Sequence, residues 1–300
     1  MRASHGLLAL AFASSACGDP LVSVERIASL RALGARVEVE GDPDRGVPFP
    51  GETASVSFFV AAPELAPSFG FGLLACEASP GEVGTPTCAG EPFSSVYTEP
   101  AADAPALTFT VPDGMDPEGR VAVLGVLCEG EAPRTDSIPP ACADESIEHR
   151  VSLGLWLPGD GEPNRNPDLA DDAIAFDDEP LAAMAPVEGA CAGLGFLEVP
   201  QGTNHRFSIT LTDDDRDSLP TDDGVGPSRE GLQVSHFSTS GELDRAFSFV
   251  SGDDSELSVS VTWKAPGGIG EGGHPVRFFF VMRDFRGGSA FTERALCVVP

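Results

Sequence analysis

The sequence predicts an all-β protein, two β-sandwiches in series after an export segment and a short tether. Apolar residues recur at every second position in run after run, while helical periodicity is nearly absent. Turn formers are abundant, with 34 Gly and 27 Pro among 300 residues. That length favours two domains, and an apolar content of 41% lies within the globular range. The division that follows is residues 1–16 as a signal peptide, 17–36 as a modified cysteine and tether, 37–158 as the first sandwich, 159–172 as an acidic Pro/Gly linker and 173–300 as the second sandwich.

The N-terminal segment reads as a signal peptide. Arg2 and His5 give a short basic start, Gly6 to Ala13 an apolar stretch, and Ser14, Ser15 and Ala16 a small-residue cleavage site. Cys17 follows. This arrangement resembles the lipobox of bacterial lipoproteins, departing from it at Ser14, where that family prefers an aliphatic residue. The resemblance implies lipidation of Cys17 and, with Gly18 rather than Asp next in line, an outer-membrane address. The apolar run is too short to span a bilayer core of about 30 Å, and no later stretch reaches the ~20 residues required. The expected partners are the lipid bilayer through Cys17 and an envelope protein or polysaccharide.

In the first sandwich the alternating sets are Val37 and Val39; Val56, Phe58 and Val60; Leu107, Phe109 and Val111; and Val151, Leu153, Leu155 and Leu157. Val121 to Cys128 is apolar at consecutive positions and reads as a central strand covered on both faces. Residues 157–172, LPGDGEPNRNPDLADD, are polar and aperiodic, the signature of a solvated linker. The second sandwich is expected from Phe207, Ile209 and Leu211; Leu232 and Val234; Phe247 and Phe249; Leu257, Val259, Val261 and Trp263; and Val276, Phe278 and Phe280. LSVSVTWKAP and VRFFFVMRDFRGGSAFTERALCV resemble the closing strands of PKD-type or cadherin-like Ig modules, with Asp284, Phe285, Arg286, Gly287 and Gly288 at the final hairpin. Pro50-Gly51-Glu52 is similar to the turn that opens the second strand of such modules. The resemblance implies an Ig-like fold, not an activity.

Besides Cys17 there are six cysteines, an even number in an exported chain. Six cysteines permit fifteen connectivities. Cys76 with Cys88 and Cys128 with Cys142 each bracket a Pro/Gly-rich loop that a disulfide could staple, and Cys191 with Cys297 would then join early and late strands of the second sandwich. No CxxC or HExxH spacing supports zinc.

A formal charge of −29 opposes binding to nucleic acid phosphates and excludes that class. Calcium is the cofactor that the acids could hold. Asp160, Glu162, Asn164, Asn166 and Asp168 place oxygens at alternate positions, although Arg165 and Asp171 stand where an EF-hand loop needs Gly and Glu. Asp213, Asp214, Asp215 and Asp217, with Asp222 and Asp223 beyond, form a second candidate cluster. Nucleophilic catalysis has little to draw on: His149, His205, His236 and His274 are expected at strand surfaces or turns, and no GxSxG elbow is present. Trp156 and Trp263 are expected as core aromatics. The function expected is non-catalytic: a structural or adhesive envelope module, with an accessory subunit of a surface-assembly complex as the alternative and an envelope hydrolase as a remote one.

Overall fold

The computed structural model describes residues 23–79, 84–101, 104–219 and 228–300; the signal peptide and Cys17 lie outside them. The chain is all-β, its only helical pieces two short 3-10 turns among the described residues. No helix among them is long and apolar enough to cross a membrane.

In the first half, β1 (Arg31–Val39), β2 (Thr53–Ala61), β3 (Phe69–Glu77), β4 (Ser94–Tyr97), β5 (Ala106–Thr110), β6 (Arg120–Glu129) and β7 (Glu148–Trp156) form two sheets, ordered β1-β2-β5 and β4-β3-β6-β7. Val56 on β2 lies level with Val37 on β1 and Leu107 on β5, so alternation in sequence becomes one row of the core. β6 is buried along most of its length between β3 and β7, as its apolar run predicts. β3 is a second strand of this kind. Alternation does not reveal it, because FGFGLLACE is apolar at consecutive positions.

In the second half come β8 (Ile174–Phe176), β9 (Glu179–Pro180), β10 (Glu198–Pro200), β11 (Asn204–Thr210), β12 (Ser218–Leu219), β13 (Ser228–Arg229), β14 (Leu232–Ser238), β15 (Glu242–Leu243), β16 (Phe247–Val250), β17 (Ser258–Lys264), β18 (His274–Arg283) and β19 (Ser289–Val299). They form sheets ordered β15-β17-β11-β8-β9 and β10-β19-β18-β14-β16, with β12 and β13 as a separate pair. β10 runs parallel to β19. Trp263 fills this core, fully buried, its Nε1–H donating to the Ser240 carbonyl at 3.0 Å. The next residue, Gly241, has φ +82°, and a Cβ there would lie 2.3 Å from the indole nitrogen, so only glycine fits.

The two sandwiches are laid sheet upon sheet. Phe59 and Ala61 on β2 and Leu33 on β1 point away from the first core and pack on Phe279 and Val281 of β18, Phe291 of β19 and Phe237 of β14. Phe59 stacks on Phe291 with centroids 4.4 Å apart. Polar contacts flank this layer. Arg277 Nη1 donates to the carbonyls of Ala62 and Glu64 at 3.0 and 2.9 Å, and Arg36 Nη1 donates to that of Ser289 at 2.9 Å. Arg283 donates to the Leu33 carbonyl and the Ser289 hydroxyl to that of Ala35. The cause is compositional: VSFFVA on β2 and RFFFVM on β18 are apolar on both faces, so each sheet covers its own core and its neighbour sheet.

Two boundaries differ from the sequence reading. The first sandwich reaches back to Arg31, inside the expected tether 17–36, and Ile27 before it is buried against the second sandwich. Ile27 N–H donates to the Ser238 carbonyl at 2.9 Å, which ties this segment to β14. Residues 159–172 are not a solvated spacer. Asn166 Nδ2 donates to the Val37 carbonyl at 2.6 Å while its Oδ1 accepts from Ser289 N–H at 3.2 Å, joining the two sandwiches through one amide. Leu169 is buried in the second core, and fully buried Arg294 holds the carbonyls of Asp171 and Leu181 at 2.8 and 3.0 Å. Lack of periodicity signals irregular backbone, which here is pinned by side-chain hydrogen bonds.

Candidate binding cleft between the two sandwiches

Where β7 ends beside the β18–β19 hairpin, the sandwiches leave a cleft of about 640 Å³. Trp156 and Pro158 at the end of β7, Phe285 and Arg286 of the hairpin, and Asn164 and Asp217 all line it.

Trp156 is 63% exposed, which corrects its expected place in the core. Val151, Leu155 and Leu157 take the inward positions of the strand, and Trp156 has the opposite parity. The Arg120 guanidinium lies 5.2 Å from its ring centroid. Phe247 and Phe249 are likewise outward, with Ser248 and Val250 inside, so the expected phase of β16 is reversed. Phe285 stacks on Phe249 at 6.0 Å, and Phe249 meets Phe247 edge-on at 5.2 Å. An aromatic band therefore runs from the edge strand β16 to the cleft.

Phe285 sits at the hairpin tip with φ +64°, a left-handed conformation that side chains rarely adopt. The buried carboxylate of Asp284 holds it there, Oδ1 accepting from the N–H groups of Arg286 and Gly288 at 2.8 and 2.9 Å. Asn164 Nδ2 donates to Asp284 Oδ2 at 2.7 Å, which locks the linker onto the hairpin. Burial pushes the Asp284 carboxyl up, against the pull of these donors. Beside it Arg286 Nη1 lies 3.3 Å from Asp217 Oδ2 and 3.6 Å from Glu230 Oε2. Burial, chiefly, pushes the Glu230 carboxyl up to about 7, with the charges of Asp284 and Asp217 adding to it. Sequence reasoning missed Glu230 because nothing local marks an isolated glutamate as buried.

The candidate calcium ligands divide into separate tasks. Asp215 accepts from Thr212 N–H at 2.6 Å and from Asp168 N–H at 3.1 Å, capping a short 3-10 turn. Asp213 pairs with buried Arg216 at 2.6 Å, which holds its carboxyl below the usual range. Asp217 takes Arg286 and the Arg165 N–H. Asn164 is buried on Asp284, while Asp160, Glu162 and Asp214 are exposed. No three of these acids bring carboxylate oxygens within 4.8 Å of one another among the described residues. Asp222 and Asp223 lie outside them.

The six remaining cysteines pair as Cys76–Cys88, Cys128–Cys142 and Cys191–Cys297. Among the histidines, His236 departs from expectation: it is fully buried, and burial pushes it down to about 4, so it is neutral. His149 pairs with Glu129 at 2.9 Å. His205 bridges Asp177 Oδ2 at 2.7 Å and Thr203 Oγ1 at 2.6 Å, and that hydroxyl donates to the Pro200 carbonyl. The chain of contacts ends on backbone, so the Thr203 proton is committed to a turn and not to the imidazole.

No protein-family model matches the chain, and no curated protein matches it. Among solved structures it is similar to the C-terminal domain of the Streptococcus pyogenes antigen I/II-family protein AspA, at 9% identity and TM-score 0.22, covering 89% of this chain and 99% of that one. The two tandem V-type regions of VCBP3, a v-region-containing chitin binding protein, align at 10% identity and TM-score 0.27 over 91% of this chain and all of that one. Dimeric latent PorU from Porphyromonas gingivalis aligns at 10% identity and TM-score 0.26, covering 91% of this chain and 24% of that one. Likeness at this level leaves the function to be argued from the chain's own residues.

Proposed function

We propose that this chain is a non-catalytic cell-envelope lipoprotein, anchored through a lipid on Cys17, that acts by contact as a structural or adhesive surface module. The observation that carries the reading is that two exposed aromatic side chains, Trp156 and Phe285, line one cleft to which both sandwiches contribute. Three disulfides suit an oxidising compartment outside the cytoplasm. The strand orders β1-β2-β5 and β4-β3-β6-β7 support an Ig-like reading of the first sandwich.

The test is photo-cross-linking on intact cells with benzoyl-phenylalanine in place of Trp156, and in place of Glu179, an exposed residue on edge strand β9. Adducts with envelope material from position 156 and none from position 179 are expected. A single recurrent protein at stoichiometric yield would instead favour an accessory subunit of a surface-assembly complex. Equal labelling from both positions, or none from 156, contradicts a contact role for the cleft. Separately, Cys17→Ser is expected to release the protein from membranes, and unchanged partitioning defeats the lipid anchor.

A further inference from the structure

Resting on that contact role, we infer that the cleft is a subsite for a neutral sugar ring of an envelope polysaccharide, packed on the exposed aromatic side chains Trp156 and Phe285 that line it. Both rings are more than 60% exposed, and each belongs to a different sandwich. A phenylalanine held in the left-handed region at an exposed hairpin tip keeps most of its surface in solvent beyond its stack on Phe249, which points to a role for its ring outside the fold. A pyranose presents an apolar C–H face suited to such rings and hydroxyls at its rim. The polar groups around the cleft match those hydroxyls: Arg286 and Asp217 offer a donor and an acceptor 3.3 Å apart, and Arg165 and Glu162 stand nearby. Asn164 adds a buried Oδ1 with no hydrogen-bond partner among the described residues.

Charge and backbone chemistry select among ligands. The arginines and acids in the cleft balance, which favours an uncharged group. An extended peptide added as a strand is disfavoured, because Pro158 and Pro163 in the wall have no N–H to give a ladder. The volume falls inside the range of about 300–1,000 Å³ common to small-ligand sites.

The experiment uses the full mature chain and soluble oligomers of β-linked glucose, N-acetylglucosamine and mannose, read by tryptophan fluorescence. Trp263 is fully buried, so acrylamide quenching reports on Trp156 alone. At least one oligomer is expected to blue-shift the emission and protect it from acrylamide. Phe285→Gly, which relieves the backbone strain, is expected to keep or raise Tm while weakening that binding at least about tenfold. Unchanged emission with all three oligomers at millimolar concentration overturns the inference, as does full affinity in Phe285→Gly. If the sugars fail while cross-links from position 156 persist, the glycan assignment falls and the contact role stands. If both are blank, both fall.

Discussion

Phe285 is placed by its neighbours at the expense of its own backbone. An L-residue in the left-handed region costs about 1–2 kcal/mol, part of which glycine would return as unfolded-state entropy. Phe285→Gly is therefore expected to leave the fold no less stable, by up to about 1 kcal/mol more, as measured by urea denaturation. Loss of stability would mean that the stack on Phe249 outweighs the strain. Glu230 makes a pH-dependent statement. Its unfolded-state pKa is near 4.5 and its folded one about 7, so the fold binds the proton more tightly. Stability is lost as pH rises from about 4.5 through about 7, by roughly 3 kcal/mol at most. His236 acts in the opposite sense: its ordinary 6.5 falls to about 4, so stability is lost as pH drops through that span. Glu230→Gln is expected to be the more stable protein at pH 8 and to keep only the acid-side loss. At this scale the expectation of Trp156 in the core was wrong, because it weighed hydrophobicity over a parity that opposes that of Leu155 and Leu157, and Phe247 and Phe249 were misplaced on the same ground.

Strands with two apolar faces decide the arrangement of elements. β6 declares itself in VAVLGVLC, and β18 in RFFFVM, by apolar residues at consecutive positions. The partner of such a face is not written in the same segment, which is why the sequence suggests sandwiches in series while β2 and β18 bring them together. Phe59 tests this layer. Phe59→Ala removes the stack on Phe291 and the edge contact with Phe279, and a loss of about 2–4 kcal/mol is expected in denaturant midpoints. An effect under about 0.5 kcal/mol would mean that the sheets barely support one another. The linker was misread for a related reason. Asn164 and Asn166 carry no periodicity, and their value lies in partners at Asp284, Val37 and Ser289 far along the chain.

For the whole molecule, the Cys191–Cys297 bond closes a loop across the second sandwich with a separation of 106 residues. Replacing both cysteines by serine is expected to cost about 4–5 kcal/mol in the chain-entropy account. Three disulfides were legible from the even number of cysteines, spacing favoured the pairs without fixing them, and the all-β class was legible from alternation. The cleft was not, because its walls come from β7, the linker and the last hairpin, whose meeting depends on the sheet-on-sheet packing.

The central claim is that both sandwiches form one body whose shared cleft makes the contact. Scanning calorimetry of the wild type and of Phe59→Asp tests it most directly. A single cooperative transition in the wild type that splits into two when the charge enters the shared layer is the predicted result. Two independent transitions in the wild type, unmoved by Phe59→Asp, would contradict it.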